Sequence, residues 1–235
     1  MQGGILIIDY GSQYTQLIAR RIREFNVYCE IHPYNKVNHK LLKLLNPKGF
    51  ILSGGPSSIL KKGATNIPKC INNISKPILG ICYGLQLLTN IKGGKIKKTL
   101  RREYGHAKLE ILHSSKILPK AWDNISPSVW MSHGDSISQV PKNFKVIAKS
   151  KNNIISIIEN KKEKIFGLQF HPEVHHTKNG KDLIRNFVFK IWKGSEEKNI
   201  LNQLKKQYKK VSYCKPRSSR NESSEIFIVA ENFIV

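Results

Sequence analysis

Cys82 stands in Gly80-Ile81-Cys82-Tyr83-Gly84, a G-x-C-x-G run between an apolar segment at 78–81 and a helical pattern at 85–91. This is the thiol form of a nucleophile elbow, in which a sharp strand-to-helix turn lifts the nucleophile clear of a sheet. The N-terminus of the following helix favours negative charge on the sulfur, and the Tyr83 N–H would face an oxyanion formed beside it. A nucleophile of this kind needs a base. His171, in Phe170-His171-Pro172-Glu173, is the strongest candidate in the chain. Pro172 biases His171 to extended backbone, where residues two apart point the same way. Glu173 can then orient the imidazole and balance its charge, as the third member of a triad does.

Ser53-Gly54-Gly55-Pro56 follows the apolar segment 50–52. It has the look of a phosphate-cradling loop, but Pro56 removes a donor and no Lys or Asp occupies the position a nucleotide loop requires. The N–H groups of Gly54 and Gly55 fit an oxyanion hole beside Cys82 better, where each donor is worth about 3 kcal/mol. Other histidines lack a carboxylate so placed: His175 and His176 fall in a polar loop, and His32, His39, His106 and His113 read as surface or strand-end residues. The cysteines at 29, 70, 82 and 214 form no C-x-x-C and meet no histidine pair at ligand spacing. A disulfide framework and a metal site are therefore not expected, and Cys29, in an apolar run, reads as an inert buried thiol.

Short β-branched runs at 5–8, 27–31, 50–52 and 78–81 read as buried strands. Between the first two, residues 13–25 place Tyr14, Leu17, Ile18, Ile22 and Phe25 on one helical stripe, with Ser12 as N-cap. Helices are also expected at 85–91 and 181–192. This alternation predicts an α/β fold, a doubly wound and mostly parallel sheet with flanking helices. Strands at 107–111, 129–132, 145–148, 154–158 and 165–170 predict a small antiparallel extension. The domain is expected over 1–192, followed by a tail over 193–235, helical at 196–210 and then irregular, with an apolar decamer at 226–235.

A chain of 235 residues with 40% hydrophobic, 24% charged and 9% aromatic residues has ordinary globular composition, which excludes wholesale disorder. No apolar run of membrane-spanning length and no secretory signal is visible, so a soluble cytoplasmic protein is expected. The net charge of +24 invites a nucleic-acid reading, yet only eight of the 40 basic residues are Arg and they are spread along the chain. With no nucleic-acid motif, composition explains the charge better than recognition does, and neither membrane nor nucleic acid is expected as a partner.

The trio S-G-G-P, G-I-C-Y-G-x-Q and F-H-P-E, in this order and spacing, resembles the class I (triad) glutamine amidotransferases over roughly residues 4–192. Within that class, residues 9–24, 129–135 and 171–177 resemble the glutaminase part of the GMP synthases, with Tyr10 where Phe is usual. The resemblance implies a flavodoxin-like fold and hydrolysis of L-glutamine through a thioester on Cys82, served by His171 and Glu173. It further implies Gly55 and Tyr83 as oxyanion donors, and Gly54, Gln86, Ser132, His133, Gly134 and Asp135 as glutamine-binding residues. ATP and Mg2+ would belong to a synthetase part, an ATP-pyrophosphatase (XMP-aminating) subunit or domain. Its S-G-G-V-D-S-S signature is absent here, as is any G-x-x-x-x-G-K-[ST]. A truncated or frameshifted product and a stand-alone subunit both fit, as do a glutaminase of another amidotransferase (anthranilate-type) and a non-catalytic binding remnant.

Overall fold

Runs of four or five consecutive buried residues can be strands only if both faces of their sheet are covered, and that is how they are used. The computed structural model describes residues 3–71, 75–192, 204–214 and 227–233. They fall into two units, 1–191 and 192–235. The first contains β1 (Ile5–Asp9), α1 (Thr15–Arg23), β2 (Cys29–Pro33), α2 (His39–Leu45), β3 (Gly49–Leu52), β4 (Ile78–Ile81) and α3 (Tyr83–Ile91). It continues with β5 (Lys95–Ile111), β6 (Ser128–Gln139), β7 (Lys145–Ser150), β8 (Ile155–Asn160), β9 (Ile165–Leu168) and α4 (Gly180–Trp192). These strands form one nine-stranded sheet in the order β2-β1-β3-β4-β9-β8-β7-β5-β6. Neighbours from β2 to β9 are parallel, and from β9 onward they are antiparallel.

The strand period of two sends alternate residues into two cores. Ile5, Ile7, Ile51 and Leu79 pack with Ile18 and Ile22 of α1 and Leu183, Ile184 and Phe187 of α4. Leu6, Ile8, Phe50 and Leu52 pack with Leu87 and Leu88 of α3 and Leu41, Leu42 and Leu45 of α2. Helices thus cover both faces, the doubly wound arrangement expected.

Three local expectations are corrected. Ser12 does not cap α1; the cap position is Tyr14. Ser12 Oγ instead accepts the Tyr14 N–H at 3.1 Å, and its carbonyl accepts the Thr15 N–H, so Ser12 builds the turn before the helix. Helix α2 was not anticipated: its seven residues are too short for periodicity to stand out, and Asn38 Oδ1, accepting from the Leu41 N–H, starts it. Strands β5 and β6 run far beyond 107–111 and 129–132, because their polar stretches are held by each other along 95–108 and 128–139.

In the second unit, β10 (Tyr208–Cys214) pairs antiparallel with β11 (Phe227–Phe233), and the Tyr208 and Phe233 rings meet at 5.2 Å. Residues 204–207 are helical, but 208–210, expected in the same helix, open a strand. The expected irregular tail therefore holds a hairpin; a non-local partner overrides local helical spacing. The remainder of the expected helix, 196–203, lies outside the described residues. Among the described residues no helix is long and apolar enough to cross a membrane.

Candidate active site

The parallel strands β3, β4 and β9 lie side by side, so their C-terminal ends open on one edge of the sheet, where α/β folds place ligands. Each delivers one motif there. Ser53-Gly54-Gly55 leaves β3, Cys82 leaves β4, and Gln169-Phe170-His171 leaves β9. Ile81 is the register partner of Leu168, and the Cys82 N–H donates to the Leu168 carbonyl at 2.7 Å. Two motifs far apart in sequence are thereby joined through main-chain bonds.

Cys82 has φ 51° and ψ −104°, a conformation that L-residues rarely adopt, immediately before α3. The turn is tight enough that a Cβ on Gly84 would lie 2.4 Å from the Leu52 carbonyl oxygen. Only a glycine lets α3 sit this close to β3. On the neighbouring loop, a Cβ on Gly55 would lie 2.8 Å from the Tyr10 carbonyl oxygen, and one on Gly54 would lie 3.0 Å from His171 Cε1.

The His171 ring lies within electrostatic reach of the Cys82 thiol, and its Nδ1 lies 2.8 Å from Glu173 Oε1. Both side chains are nearly inaccessible. Burial opposes protonation of this imidazole, but the Glu173 carboxylate and the Cys82 sulfur outweigh it, so His171 titrates well above the ordinary histidine range. The His171 main-chain N–H donates to the Trp130 carbonyl at 3.0 Å, which ties this segment to β6. A thiol beside an imidazole backed by a buried carboxylate is equipped for nucleophilic acyl transfer.

Beside Cys82 is a cavity of about 560 Å³. Gly55, Cys82, Tyr83, Gln86 and residues 132–135 line it, and Ser58, Lys61, Lys98 and Tyr104 also stand in its wall. The buried Gln86 amide donates to the Asp135 carbonyl at 2.9 Å, while the Asp135 carboxylate accepts from Ser58 Oγ. The Ser132 carbonyl lies 3.6 Å from Cys82 Sγ. Gly54 is buried but is not part of this lining; it lies against His171.

Several site neighbours were not singled out from the sequence. Gln169 Nε2 lies 3.8 Å from Cys82 Sγ, and Gln86 Nε2 is 3.5 Å from Gln169 Oε1. The Tyr14 ring packs edge-on against His171 at 5.1 Å. Thr177 Oγ1 donates to the His171 carbonyl and accepts the Trp130 N–H. Cys29 and Cys70 are buried away from the site, and burial pushes both thiols up. Among the described residues no group of His, Cys, Asp and Glu is placed to hold a metal ion.

The family model described as glutamine amidotransferase class-I matches residues 6–191. The chain is 46% identical over 207 residues to a GMP synthase [glutamine-hydrolyzing] of Brachyspira hyodysenteriae, and 44% identical over 207 residues to that of Bacillus mycoides. In both cases the match covers 88% of this chain and 40% of the relative, so the chain spans about two fifths of their length. A crystal structure from Thermoplasma acidophilum, described as a candidate GMP synthase subunit, superposes with TM-score 0.69 at 31% identity, covering 86% of this chain and 98% of that one. A glutamine amidotransferase of Thermotoga maritima shares the fold, with TM-score 0.60, 19% identity and 86% of each chain covered.

Proposed function

This chain belongs to the class-I glutamine amidotransferases, and we propose that it hydrolyses L-glutamine to glutamate and ammonia for the ATP-dependent amination of XMP to GMP. The observation that carries the reading is the strained Cys82 beside the buried His171–Glu173 pair. The Cys82 thiolate attacks the carboxamide carbon, forming a C–S bond and an oxyanion that accepts from the N–H groups of Gly55 and Tyr83. Protonated His171 gives its proton to the amide nitrogen, the C–N bond breaks, and ammonia leaves a glutamyl thioester. Neutral His171 then takes a proton from water, whose oxygen attacks the thioester; the C–S bond breaks and glutamate is released. Glu173 stabilises the imidazolium throughout. Gln86, Ser132, His133, Gly134 and Asp135 hold the amino-acid end of glutamine, with Gly54 supporting the loop against His171.

The 46% and 44% identity to GMP synthases supports XMP as the acceptor of the ammonia. ATP and Mg2+ would act on the synthetase part, an ATP-pyrophosphatase subunit or domain that receives the ammonia. The test is Cys82→Ala. Wild type should release ammonia from glutamine and be labelled at Cys82 by diazo-oxonorleucine, a glutamine-mimicking electrophile. The variant should do neither while keeping the wild-type melting profile; ammonia release that survives the substitution refutes the reading.

A further inference from the structure

The wall at 132–135 has an unusual support. Strands β5 and β6 shift register between Lys98 and Glu103: Lys98 is opposite Asp135, Glu103 is opposite His133, and residues 99–102 bulge past Gly134. Side chains take over where the ladder is interrupted. Thr99 Oγ1 donates to the Gly134 carbonyl at 2.7 Å. Glu103 Oε2 lies 3.4 Å from His133 Nε2, with the two side chains 5% and 1% exposed. The same carboxylate is pinned from a third segment, because its Oε1 accepts from Ser150 Oγ and Asn152 Nδ2, both at 2.8 Å. Burial works against its ionisation, but these donors and His133 outweigh it and hold the group below the usual glutamate range.

Such a pair is a poor device for stability alone, since apolar residues of similar volume usually do as well or better in a buried ion-pair site. Its position is more informative. His133 lines the cavity, and neither ring nitrogen has a hydrogen-bond partner among the described residues. The Glu103 carboxylate faces the ring at ion-pair distance and is itself anchored to β7 and the turn after it.

We propose that Glu103 is a positioning residue for glutamine hydrolysis: by holding His133 it sets the 132–135 wall that receives the amino-acid end of the substrate. This rests on the glutaminase reading above. Its effect should fall on recognition of glutamine more than on the reactivity of the thiol.

The experiment compares two electrophiles on the full chain. Diazo-oxonorleucine carries an amino-acid end and iodoacetamide does not. Glu103→Ala should slow labelling of Cys82 by the first roughly 10- to 100-fold, the scale of a misplaced binding group, and leave the second nearly unchanged. Glu103→Gln, which keeps an acceptor for Ser150 and Asn152, should recover part of the loss. His133→Ala should cost as much as Glu103→Ala, and the double variant no more than His133→Ala alone. Equal slowing by both reagents, or additive losses in the double variant, overturns the proposal. The glutaminase reading fails separately, by absence of diazo-oxonorleucine labelling in wild type. Amide exchange over 131–135 then decides: Glu103→Ala must speed it, and unchanged exchange overturns the role of Glu103.

Discussion

His171 Nδ1 and Glu173 Oε1 are 2.8 Å apart, and the side chains are 5% and 0% exposed. The pairing, together with the sulfur of Cys82, raises the titration point of the imidazole against the opposing effect of burial. A histidine raised in this way stabilises the native state fully below its unfolded value of about 6.5, and the contribution is lost as pH rises through the native value. Glu173→Gln should therefore lower stability by about 3 kcal/mol near pH 6, the scale of a broken buried pair. The gap to wild type should narrow as the solution becomes alkaline. Thermal melts across this range check the sign; a gap that does not vary with pH contradicts it.

The backbone at Cys82 stores strain, with φ at 51°. Such a conformation costs about 1–3 kcal/mol for an L-residue and far less for glycine, which loses part of the gain to its freer unfolded chain. Cys82→Gly should be more stable than Cys82→Ala by about 1 kcal/mol, with both inactive. Denaturant titration of the two variants measures the difference, and an Ala variant of equal or greater stability would remove the argument for strain.

Gly84 carries the close approach of α3 to β3. A methyl group there would meet the Leu52 carbonyl oxygen at 2.4 Å, a main-chain atom that cannot rotate away. Gly84→Ala should cost about 1–3 kcal/mol by overpacking and should also displace Cys82 enough to reduce glutamine turnover. Melting temperature and ammonia release are the two readouts; loss of neither would mean that the elbow has slack.

Thiol chemistry should discriminate sharply among the buried cysteines. Cys29 Sγ donates to the Ala19 carbonyl and Cys70 Sγ to the Val37 carbonyl, and burial pushes both thiols up. Cys82 is also mostly covered but lines the cavity. Peptide mapping after brief iodoacetamide treatment should find Cys82 modified well ahead of Cys29 and Cys70, with glutamine slowing its labelling. Modification of Cys29 at a comparable rate would show that cavity access does not govern reactivity.

Short-range rules were enough for much of this molecule. Glycines around Cys82 announce a turn that only small neighbours permit, and the spacing of His171 and Glu173 announces a pair able to meet. Alternating apolar runs and helical stripes announce the two-faced sheet. These features depend on preferences that a residue expresses within a few neighbours. Glu103, Ser58 and Gln169 could not be assigned in that way, nor could the extent of β5 and β6 or the pairing of β10 with β11. Their positions follow from which strands become neighbours, and that choice is made by burying both faces of the sheet at once, a condition no short segment contains. The insertion of β9 beside β4 is the decisive case: it brings Cys82 and His171 together through one main-chain bond to Leu168, although neither local motif specifies the other's place.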